Sequence, residues 1–268
     1  MVDAEKIAAV IAEIADHEIA QRFGNLKPEE IREKSSASDL VTEVDEAAER
    51  ALTSVLNDIY PAATVIGEES AAANPDSVNA LDSDGAFWIV DPLDGTRNFV
   101  RGEKEFATIV ALVEDGVTRM GWIYAIPERK CAIAIAGEGG FWDGVKIDPK
   151  PSTSERSTGL RSVGWLTPEW EKPIRENLKA NFDCSANHCS AYGYLKVAHG
   201  DVDFKLSSRI HPWDHAAGAL LVRETGGRAA YIDNATPYSA TPSIDRPLLV
   251  AAQNRDWKII AGALRGDK

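Results

Sequence analysis

Apolar positions recur along this chain with two different periods. Over residues 4–22, Ile7, Val10, Ile11, Ile14 and Ile19 fall at helical spacing, and Gly24-Asn25 stops the run. Ser38 or Asp39 can cap a second helix, with Leu40, Val44, Ala47, Ala51 and Val55 on one face and an end before Pro61. The period then shortens. Thr64-Val65-Ile66 reads as a short strand that turns at Gly67-Glu68-Glu69-Ser70, and the small, polar stretch 71–85 reads as a loop. A buried strand at 87–90 is followed by strands at 106–113, 121–125 and 131–136. Glu114-Asp115-Gly116 is a turn, and 139–144 resembles a hairpin tip. Two helices ahead of a strand series predict an α+β half with an antiparallel sheet.

Residues 150–159, rich in Ser, Thr and Pro, mark the best boundary, giving halves of 1–150 and 151–268. Beyond it strands and helices alternate. Strands are expected at 160–165, 202–206, 229–232 and 248–252, and helices at 168–180, 190–199, 213–225 and 255–264. That rhythm predicts a layered α/β half.

The chain has 268 residues, with 29 Lys+Arg against 42 Asp+Glu and a formal net charge of −13. Such a balance speaks against a nucleic-acid binder, which would show a basic patch. The N-terminal residues lack the basic and apolar regions of a signal peptide, and no apolar run is long enough to span a bilayer. A cytoplasmic protein is therefore expected. The three cysteines, Cys131, Cys184 and Cys189, are odd in number and fit no zinc spacing, so they read as bystander thiols in a reducing compartment.

Most of the acidic residues would be solvated surface, but some sit where strands end. The strand at 87–90 runs straight into Asp91-Pro92-Leu93-Asp94-Gly95-Thr96, which sets two carboxylates three residues apart on a Pro/Gly turn. Neighbouring carboxylates repel unless a cation, a proton or hydrogen bonds compensate them, and oxygen ligands on a rigid turn suit Mg²⁺. The alternative is a turn whose Asp side chains hydrogen-bond their own backbone. Glu68 and Glu69 can be a solvated turn, and Asp214, at the start of an apolar helix, can be a cap.

Taken together, four blocks carry a resemblance. They are Lys34 to Asp45 (KSSASDLVTEVD), Ile66 to Ser70 (IGEES), Trp88 to Phe99 (WIVDPLDGTRNF) and Trp213 to Gly218 (WDHAAG). In order and spacing they resemble the inositol monophosphatase family of Mg²⁺-dependent, lithium-sensitive sugar phosphatases, over nearly the whole chain. The resemblance implies a layered α/β/α/β/α fold, two sheets sandwiched between helix layers, with the site where the two halves meet. It implies two or three Mg²⁺ ions. Glu68, Asp91 and the Leu93 carbonyl would hold the first; Asp91, Asp94 and Asp214 the second; a weaker third would lie near Glu68. Gly95 and Thr96 would offer backbone N–H groups to phosphate. Asp45 and Thr96, with Glu68 nearby, would orient and deprotonate the attacking water. Lys34 would lie in a mobile loop by the metals, and Ser190 and Ala191 would line the substrate alcohol. Family members are commonly homodimers, so a homodimer binding a small phosphorylated substrate is expected.

The pattern departs from the family at one position. Inositol phosphatases carry a Glu seven residues before the WD aspartate, and Ser207 stands there in this chain. Lys205 and Arg209 flank it, which favours a substrate with a second negative group unless both are exposed strand-end charges. An inositol 1-phosphate type substrate is expected, with histidinol phosphate, fructose 1,6-bisphosphate and adenosine 3′,5′-bisphosphate as alternatives. Asn98 after Arg97 fits the sugar phosphatases better than the adenosine bisphosphate branch. Two other classes compete: a non-catalytic interaction protein that binds transcription machinery, and a passive metal binder.

Overall fold

A continuous apolar run such as Phe87-Trp88-Ile89-Val90 needs cover on both faces. In the computed structural model, which describes residues 2–26, 31–36, 39–151, 154–241 and 246–267, stacked layers of helix and sheet supply it. Helices α1 (Ala4–Glu18) and α2 (Glu43–Ile59) form one outer layer. Beneath them lies a seven-stranded sheet of β3 (Ala63–Gly67), β4 (Ala86–Asp94), β5 (Ala107–Glu114), β6 (Val117–Ala125), β7 (Lys130–Ile135), β8 (Gly139–Trp142) and β9 (Val145–Lys146), side by side in that order. Only the β3–β4 pair is parallel; the others are antiparallel.

The middle layer is α6 (Ser190–His199) and α7 (Pro212–Glu224). Below it is a mixed five-stranded sheet in the order β11 (Asp183–Ala186), β10 (Thr158–Ser162), β12 (Phe204–Ser207), β14 (Leu248–Ala251), β13 (Arg228–Tyr231). Helices α5 (Pro168–Asn181) and α8 (Asn254–Arg265) close the far side. The fold is thus the α/β/α/β/α stack that the family resemblance implies. Smaller pieces complete it: a two-stranded ladder of β1 (Ile31–Ser36) with β2 (Asp39–Thr42), and two short helices, α3 (Glu68–Ala73) and α4 (Thr96–Arg101). Among the described residues no helix is long and apolar enough to cross a membrane.

Strand alternation assigns residues to layers. On β4, Trp88 and Val90 face α1 and α2, while Phe87 and Ile89 face the middle helices. On β14, Leu248 and Val250 face the middle layer, and Leu249 and Ala251 join the core under α5 and α8. Each sheet is therefore apolar on both faces, which the period-two pattern of a buried strand requires.

Three local expectations need correction. Helix α2 begins at Glu43, because residues 39–42 pair with β1 as a strand. Its buried apolar stripe is Val44, Ala48, Leu52 and Leu56, so Ala47, Ala51 and Val55 sit half-buried on its margin. Residues 71–85 are not an open loop: α3 runs on to Ala73, and Pro75–Asp82 form a 3₁₀ helix with Pro75 at its first turn, where its missing N–H costs nothing. The edge strand β11 was not anticipated, because Asp183-Cys184-Ser185-Ala186 lies largely exposed and shows no apolar alternation.

Helix α7 reaches the seven-stranded sheet by way of glycine. A Cβ on Gly121 of β6 would stand 2.7 Å from the Ala217 Cα of α7, closer than any packing allows. Gly121→Ala should therefore lift α7 and destabilise the chain by about 1–3 kcal/mol. Urea denaturation followed by circular dichroism measures this, and an unchanged midpoint would contradict the close approach.

Candidate metal centre

The site begins where β4 leaves the sheet. Its pairing with β5 is regular to Asp91, then slips before Asp94, so the strand bulges at Pro92-Leu93. Asp91 Oδ1 accepts the Leu93 N–H at 3.1 Å, and the Thr108 hydroxyl on β5 donates to the Pro92 carbonyl at 2.8 Å. Next comes Gly95 at φ +85°, a conformation that other residues rarely adopt. A Cβ there would meet the Glu105 carbonyl at 2.8 Å, and that same carbonyl accepts from the Asn98 amide at 2.7 Å. Thr96 then opens α4.

Asp94 is the best anchored of the carboxylates. Its Oδ1 accepts the Ser190 N–H at 3.1 Å, and its Oδ2 accepts the Ala191 N–H at 2.6 Å and the Cys189 thiol at 2.8 Å. These amides open α6, so a negative side chain meets the positive end of a helix. The Ser190 hydroxyl in turn donates to the Asp214 carbonyl at 2.9 Å, which ties α6 to the first turn of α7. Ligand oxygens of Asp91, Asp94 and Asp214 all come within 4.8 Å of one another; Asp91 and Asp94 are buried and Asp214 is partly accessible.

Glu68 opens α3, half-buried and outside that trio, with its charge felt at Asp214. Glu49, buried on α2, positions α3: its carboxylate accepts the Glu69 N–H at 2.7 Å and the Ser70 N–H at 2.8 Å. Gly67 has no Cβ to obstruct it; one would fall 2.2 Å from the Glu49 carboxyl carbon. Asp45, buried in the first turn of α2, brings Oδ1 to 3.1 Å from the Thr96 hydroxyl. The single Thr96 proton is shared between this carboxylate and the Leu93 carbonyl at 2.9 Å.

Electrostatically the trio is short of positive charge. Burial pushes the Asp94 carboxyl up, although the Cys189 thiol and the two α6 amides pull it down. Burial, with Asp94 and Glu68 beside it, drives Asp214 well above the ordinary carboxylate range. Lys205 is the local cation, and burial lowers its ammonium to about 8 against the pull of Asp214 and Asp94. Three crowded carboxylates that offer only oxygen, two on a turn held by backbone bonds and one on the first turn of α7, fit a hard divalent cation such as Mg²⁺.

The other residues singled out in the sequence fall as follows. Ser190 and Ala191 touch Asp94 through backbone N–H groups. Ser207 is buried and accepts from Lys205 Nζ at 2.7 Å. Arg209 is half-buried, its guanidinium 4.9 Å over the ring of Trp165. Lys34 falls in β1 at the irregularity between Glu33 and Ser36 in its ladder with β2. Two residues escaped the sequence reading, and a third was read for a different role. Cys189, taken for a bystander, donates to Asp94. Glu49 was lost among surface acids. Lys205, which could be read as an exposed strand-end charge, is 1% exposed. A signal for the last was present, because Phe204 and Leu206 alternate into one core and so turn Lys205 to the opposite face.

Comparison with known proteins agrees with this architecture. The model of the inositol monophosphatase family matches residues 3–264. Inositol monophosphatase 1 of Sus scrofa is 35% identical over 202 residues, 72% of each chain. A histidinol-phosphatase of Mycobacterium tuberculosis is 33% identical over 85% of this chain and 86% of its own. A solved IMPase/NADP phosphatase complexed with Mg²⁺ and phosphate superposes with a TM-score of 0.80, covering 98% of this chain and 95% of that one at 21% identity, a likeness of fold.

The raised carboxyls give a signed expectation. Folded Asp94 and Asp214 bind protons more tightly than unfolded ones, so their contribution to metal-free stability falls as pH rises above the ordinary carboxylate range. A bound divalent ion reverses that dependence. The gap between melting temperatures in Mg²⁺ and in EDTA should therefore widen from about pH 4 to pH 7. Calorimetry that finds a constant gap would contradict it.

Proposed function

The chain belongs to the inositol monophosphatase family, and we propose that it is a Mg²⁺-dependent phosphomonoesterase acting on a small polyol or sugar phosphate of the inositol 1-phosphate type. The observation that carries this reading is the convergence of Asp91, Asp94 and Asp214 beside the Thr96–Asp45 pair. Glu68, Asp91 and the Leu93 carbonyl would hold one ion, and Asp91, Asp94 and Asp214 a second. When bound, the ions supply the positive charge that draws a phosphate dianion into an acidic cleft and that makes water acidic enough to attack.

The chain's own groups do the rest. The Leu93 carbonyl can only accept, so the Thr96 hydroxyl is held between it and the Asp45 carboxylate. Together Thr96 and Asp45 position a water and receive its proton. The Gly95 and Thr96 N–H groups, at the turn into α4, would meet the transferring phosphoryl oxygens, whose charge must be stabilised in place. Ser190 and Ala191 cannot shift toward a substrate without releasing Asp94, so they act on the alcohol mainly by holding that ligand.

Histidinol phosphate is the second reading, favoured by the relative of that name at 33% identity. Release of inorganic phosphate from inositol 1-phosphate, histidinol phosphate, fructose 1,6-bisphosphate and adenosine 3′,5′-bisphosphate, with Mg²⁺ and with or without Li⁺, separates the substrates. Asp91→Asn and Asp214→Asn should each lower kcat more than about 100-fold on the preferred ester. Turnover at the wild-type rate in either variant would remove the metal assignment.

A further inference from the structure

Lys205 is a charged side chain enclosed as completely as the aromatic core. Its Nζ donates to Ser207 Oγ at 2.7 Å, approaches Ser190 Oγ at 3.3 Å, and lies 4.5 Å over the centre of the Tyr194 ring. Room for it is built into the middle layer. A Cβ on Gly193 would stand 2.9 Å from Lys205 Cε, and one on Gly218 would stand 2.2 Å from the Tyr194 ring. Tyr194 is itself held, because its hydroxyl meets His215 Nδ1 at 2.7 Å while His215 Nε2 faces the Arg209 carbonyl at 3.0 Å. A carbonyl only accepts, so Nε2 carries the proton and Nδ1 accepts from tyrosine. Burial keeps this imidazole uncharged, so the buried cation of the group is the lysine, with the half-buried Arg209 also felt at Asp214.

Two features of this setting matter. First, Lys205 donates its hydrogen bonds to hydroxyls, which leaves carboxylate lone pairs open to a metal. Second, Ser190 joins the lysine to both ligands of one half of the cluster: its N–H holds Asp94, and its hydroxyl holds the Asp214 backbone. With 1% exposure the ammonium is out of reach of a substrate.

We propose that Lys205 is a resident counter-cation for the Asp94–Asp214 half of the cluster, offsetting part of their charge before an ion arrives and weakening the ion those two carboxylates share. The inference rests on the metal reading above. A fixed positive charge at this place lowers the repulsion that would otherwise burden the metal-free fold, and the same charge opposes an incoming divalent ion. The shared Mg²⁺ is thus held more loosely than its carboxylates alone would dictate.

Lys205→Met and Lys205→Gln, neutral side chains of similar length, test this in the EDTA-stripped full-length chain. Titration calorimetry with Mg²⁺ should show one site, the one those two carboxylates share, tightened about tenfold. Saturating Mg²⁺ should also raise the melting temperature of each variant by more than it raises that of the wild type. A merely structural lysine would lower melting equally with and without Mg²⁺. Equal Mg²⁺ affinity and equal Mg²⁺-dependent gain in variants and wild type, or variants that remain unfolded in saturating Mg²⁺, would overturn the proposal. The readout is binding, not turnover, so a wild-type chain that releases no phosphate from any ester would overturn the proposed function alone.

Discussion

The constraint on which this structure depends is the burial of like charge. Three carboxylates whose oxygens fit within 4.8 Å would scatter in water. Here they converge because each is held by the backbone or by an element that cannot move. The β4 bulge fixes Asp91, the amides of α6 fix Asp94, and the first turn of α7 fixes Asp214. Repulsion that is not relieved by geometry is left for a cation to relieve, and the raised carboxyls of Asp94 and Asp214 register that need. Metal affinity and metal-free instability are two consequences of one arrangement.

The layers serve that arrangement. Neither sheet contributes a complete site. The larger sheet delivers Asp91, Asp94 and Thr96 from the end of β4, and the middle helices bring Asp214 and the amides that hold Asp94. The approach of those helices is set by small residues: Gly121 under Ala217, Gly140 under Leu221 and Thr225, and Gly218 under Tyr194. A side chain at any of these points would move a ligand, so packing precision far from the cleft is transmitted to it through rigid helices.

Where the sequence could be read correctly, the reason was physical. Sheet strands that are apolar on both faces and helices with a clear stripe announce themselves, and Ser190–His199 was expected within the bounds that the structure shows. The ladder β1–β2 and the edge strand β11 are polar or exposed, so their pairing leaves no apolar trace. In the site, Asp91 and Asp94 drew notice because carboxylates on a turn are unusual company for a buried strand, whereas Asp45, Thr96 and Asp214 were singled out only by family resemblance. Glu49 and Cys189 were not, because each acts through a contact between elements distant in the chain, and Lys205 was noticed but not as a buried group. Their residue types carry opposite default expectations: surface for the charged pair, inert core for the thiol.

The bonds from α6 to Asp94 also have a temporal meaning. Ala191 lies 97 residues beyond the carboxylate it holds. A chain made from its N-terminus exposes Asp91 and Asp94 to water long before α6 and α7 exist, and water can solvate that pair at little cost. The desolvation falls due only when the middle layer docks between the two sheets. A divalent ion at these carboxylates would therefore favour the docking of the middle layer itself.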